Sequence, residues 1–111
     1  MPVKLEDIAV QLASGYPSED ASAVAAEFVE ALRIVLPAMA EKAESARHRV
    51  GGSVEEVWEA IRGDAEASFQ AALNRVARVK VLYVASKFMN NRAVGTMITQ
   101  AALALAAGEE V

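Results

Sequence analysis

The chain has 111 residues, a length that accommodates one domain, residues 1–111, with a modest core. It has no cysteine, which excludes disulfides, thiolate metal sites and cysteine nucleophiles. Hydrophobic residues make up 54%, but 24 of them are alanines, and the formal net charge is -4, so closely approaching helices around a thin core are expected.

The first element is a short helix over residues 4–14. Leu5, Ile8, Ala9 and Leu12 recur at helical spacing, and Glu6 and Asp7 lie in the first turn, where the helix dipole favours them. With those acids two and three residues after Lys4, no long apolar segment follows, and no signal peptide is expected. Gly15 and Pro17 stop the helix, with Tyr16 in the bend.

Ser18 then reads as an N-cap, followed by Glu19 and Asp20. Val24, Phe28, Leu32, Val35 and Met39 form an apolar stripe, broadened by Ala21, Ala25, Val29 and Leu36. Glu27, Glu30, Arg33, Glu41, Lys42 and Glu44 mostly fall elsewhere on the wheel. Pro37 removes a donor and crowds the carbonyl of Arg33, which predicts one kinked helix, since the apolar pattern resumes at Ala38, Met39, Ala43 and Ala46. Arg47, His48 and Arg49 suit its last turn, and Gly51-Gly52 supplies the reversal.

Ser53 opens the next helix, with Glu56 three residues on to complete a capping box. No proline follows, so one helix is expected from Val54 to Met89, about 54 Å long, with a bend or a new start at Gly63-Asp64 as the alternative. Val57, Ile61, Ala65, Phe69, Ala72 and Val76 mark its buried path, with Trp58 beside it. Beyond Leu73 the character changes. Val76, Val79, Val81, Leu82, Tyr83, Val84, Phe88 and Met89 fall all round the wheel, and a helix apolar on every side is one that is surrounded. In a domain this small, a second copy or a partner is the expected source of that cover. The rival expectation for 79–84 is a β-strand exchanged between subunits, because valines, Leu82 and Tyr83 favour strands and nothing else in the chain could pair with one.

Asn90-Asn91 marks a turn, and either residue can cap a last helix from about Arg92 to Ala106. Its stripe is Val94, Ile98, Ala101 and Leu105, and Gly95 is expected to permit the close approach of another backbone. Gly108 ends it, and Glu109, Glu110 and Val111 are expected to fray. The expected fold is all-α: a small up-down bundle of three to four helices with two long central ones.

Charge is distributed unevenly. Residues 1–66 hold thirteen acidic and six basic side chains, whereas residues 67–108 hold Arg75, Arg78, Lys80, Lys87 and Arg92 and no acid. The two halves either complement each other in packing or present faces of opposite sign to different partners.

Catalytic chemistry finds little material. His48 is the only histidine, and none of Glu27, Glu30, Glu55, Glu56, Glu59 and Glu66 is followed three residues later by histidine, so neither a zinc set nor a carboxylate-bridged metal pair is spelled out. Gly51-Gly52-Ser53 matches no phosphate-binding pattern, and no serine has an evident base. No enzyme activity, metal, cofactor or small-molecule substrate is expected. No stretch of roughly 18 uncharged apolar residues occurs, so no membrane span is expected either.

Two functions fit what remains. The first is a structural or adaptor protein that forms a homo-oligomer or docks on a helical partner, with Trp58, Val79, Tyr83, Val84 and Phe88 as interface anchors. Phe28 and Phe69 read as ordinary core. The second is a helical subunit of a nucleoprotein complex, contacting RNA or DNA backbone through Arg75, Arg78, Lys80, Lys87, Arg92 and Asn91. Against independent DNA binding stand the net negative charge and the wheel, which puts Lys80 and Lys87 on one face and Arg75 and Arg78 on another. The cysteine-free composition suits a reducing compartment, and the expected location is cytoplasmic.

Overall fold

A computed structural model describes residues 4–14, 18–76 and 90–111, with the side chains of 18–20 outside the description. The described residues form an all-α bundle of four helices: α1 (Leu5–Ala13), α2 (Ser18–Val50), α3 (Val54–Val76) and α4 (Arg92–Ala106). The long pair α2 and α3 makes the largest interface, α1 and α4 each pack on α2, and α4 also meets α3 and α1. The helix expected over Val54–Met89 is described as far as Val76; residues 77–89, and with them the choice between helix and exchanged strand, lie outside the described residues. The expected stop at Gly15–Pro17, with Tyr16, also lies outside them.

Helix ends follow local chemistry. Gly51 and Gly52 adopt φ of +93° and +96°, a region costly to side-chain-bearing residues, and so reverse the chain within three residues between α2 and α3. The Glu56 N–H donates to Ser53 Oγ at 3.2 Å, one half of the expected capping box. Asn91 Oδ1 accepts from the N–H groups of Ala93 (3.0 Å) and Val94 (3.4 Å), satisfying two orphan donors of α4. At the other end Gly108 takes φ +85°; its N–H donates to the Leu105 carbonyl, and that of Glu109 donates to the Ala104 carbonyl. Those two bonds are a Schellman motif.

α2 runs through Pro37 as one helix. The carbonyl that loses its donor is that of Arg33; Arg33 and Pro37 are both exposed, so water can replace the missing bond. Gly63 is likewise absorbed within α3, on an exposed position with no atom near where a Cβ would stand.

The core is centred on Phe28 of α2 and Phe69 of α3, both fully buried, with ring centroids 5.9 Å apart and planes tilted by 46°. Ile8 and Leu12 close it from α1, Ile98 from α4, and Leu32, Leu36, Met39, Ile61 and Leu73 fill the length between the long helices. Ala43 and Ala46 on α2, Ala65 and Ala72 on α3, and Ala101 and Ala102 on α4 are buried as well, which lets the backbones approach closely.

Two expectations are corrected. Glu27, assigned by the wheel to the polar side, is only 4% exposed. α2 is contacted by three other helices, so its buried arc is wider than its apolar stripe. Among the described residues no buried side-chain nitrogen or oxygen lacks a hydrogen-bond partner, so the burial leaves no orphaned polar atom. Val111, expected to fray, is half-buried against the core near Leu5, Leu36 and Leu105. The turn at Gly108 leads the chain back towards the middle of α2, where Val111 shares a small groove with Leu32, Leu36 and Pro37.

Candidate interaction surfaces

The anchor proposed from α3, Trp58, lies inside its own bundle at 2% exposure. Its indole packs on Gly95 of α4 so closely that a Cβ at position 95 would stand 2.7 Å from Trp58 Cδ2, and closer still to Cε2 and Nε1. Where the approach of another backbone was expected at Gly95, an aromatic ring of the same chain comes close instead, and almost none of that ring is left for a partner. The other four anchors, Val79, Tyr83, Val84 and Phe88, lie outside the described residues. Their described neighbour Val76 is half-buried against the core.

Of the basic set, Arg78, Lys80 and Lys87 lie outside the described residues. Arg75 is exposed in the last turn of α3 and makes no ion pair among the described residues. Arg92 is exposed too, but its Nη2 stands 4.0 Å from Glu59 Oε1, while Arg62 Nη1 is 3.9 Å from Glu59 Oε2 and Arg62 Nη2 donates to Asn90 Oδ1 at 2.8 Å. This network joins α3 to the turn before α4. It also places one base of the C-terminal half against an acid of the N-terminal half. Asn91 is exposed, but its side-chain oxygen is engaged in the cap of α4.

At the far end of α2, one carboxylate oxygen of Glu44 is shared by Arg47 and by His48, whose Nε2 is 3.2 Å away. The imidazole is exposed, so the pair is a solvated helix-end contact. Among the described residues no group of three or more histidines, cysteines, aspartates or glutamates is arranged to hold a metal ion, and no helix is long and apolar enough to cross a membrane.

Among the grooves on the described surface, two differ sharply in character. Between α2 and α3 a groove of about 440 Å³ is lined by Glu41, Lys42, Ser45, Arg49, Ala60 and Asp64, and the Lys42–Asp64 pair at 3.4 Å spans it. Between α1 and α2 a groove of about 350 Å³ is lined by Val10, Ala13, Ala21 and Ala25, with Ser14 and Ser22. Val10 is 63% exposed there, and Ile34 on α2 is the other large exposed apolar side chain among the described residues. Val10 was discernible beforehand, because it falls off the Leu5–Ile8–Leu12 stripe. Ile34 carries the same signal, because on the α2 wheel it falls between Glu27 and Glu30, away from the Val24–Phe28–Leu32 stripe.

No protein-family model, no curated protein and no solved structure matches the chain.

Proposed function

We propose that this protein is a non-enzymatic structural or adaptor module of the cytoplasm that assembles with itself or with a helical protein partner. The observation that carries the proposal is the run Val76–Met89. Eight large apolar residues there are distributed all round a helical wheel, a pattern that calls for neighbours on every side. The described bundle supports it from the other direction: its one tryptophan and its central phenylalanines are already enclosed by α1 to α4, so anchors for a partner fall to Val79, Tyr83, Val84 and Phe88.

A second reading is a nucleoprotein subunit that contacts backbone phosphate through its basic C-terminal half. Arg75 favours it, as an exposed cation with no acid against it among the described residues. Arg92 and Asn91 contribute less, one standing near Glu59 and the other capping α4.

Light scattering on nucleic-acid-free protein, at low and high salt and with a short RNA or DNA duplex added, tests both. Self-association gives a dimer or larger species without nucleic acid. A monomer that gains mass only with RNA or DNA, and loses it at high salt, overturns that reading in favour of the second.

A further inference from the structure

We draw no further inference here: the strongest candidate, the apolar groove between α1 and α2 lined by Val10, Ala13, Ala21 and Ala25, is an unpartnered face, and nothing in the structure shows what covers it.

Discussion

Gly95 of α4 and Trp58 of α3 meet with no room for a side-chain carbon between them. The indole is fully enclosed and Thr99 Oγ1 donates to the Gly95 carbonyl at 2.9 Å, so the glycine is held from two sides. Gly95→Ala gains helix propensity yet forces the ring to move. Overpacking of this kind costs about 1–3 kcal/mol, more than the propensity returns. Denaturant melts of Gly95→Ala should show that loss. In a Trp58→Ala background, itself lower by about 3–5 kcal/mol, the penalty for Gly95→Ala should largely vanish. Equal penalties in the two backgrounds would mean that the ring does not set the requirement for glycine.

Gly63 is the opposite case. It sits in α3 with open space where a Cβ would go, and its φ is not in the left-handed region. Gly63→Ala should therefore stabilise the protein by about 0.5–1 kcal/mol through backbone entropy alone. A loss of stability on urea titration would show that position 63 is crowded or bent in solution.

Asn91 separates local structure from ligand contact. Its side-chain oxygen accepts two N–H groups of α4, so Asn91→Ala should cost about 1 kcal/mol, whereas Asn91→Asp, an equally good cap, should cost little. Under the nucleoprotein reading Asn91→Asp adds a negative charge at the proposed phosphate surface and weakens retention on RNA. Stability unchanged in both variants would remove the capping role from solution.

The sequence predicts best the features that depend on near neighbours. Ser53, Gly51-Gly52, Asn91 and Gly108 announce helix boundaries because capping and left-handed backbone are properties of a few consecutive residues. The Phe28 and Phe69 core positions follow from helical period. Glu27, the Trp58–Gly95 contact and Val111 do not follow, because each depends on which faces of separate helices meet. A wheel for α2 alone cannot tell that α1, α3 and α4 surround enough of it to enclose Glu27. In the same way, the space beside Gly95 could have been filled by a backbone, a partner or an indole, and only the packing of α3 on α4 selects the last.

The polar contacts on the surface carry less weight. Lys42–Asp64 at 3.4 Å and Arg92–Glu59 at 4.0 Å are both solvent-exposed, and pairs of that kind contribute about 0–1 kcal/mol. Stability therefore rests mainly on burial around Phe28 and Phe69.

The most direct test of assembly through residues 76–89 is the solution mass of Phe88→Asp beside that of the natural chain, with circular dichroism on the same samples. A folded, helical species of smaller mass is the predicted result. An unchanged mass would contradict assembly through this segment, and so would unfolding without any soluble smaller species, which would assign Phe88 to the core of the single chain.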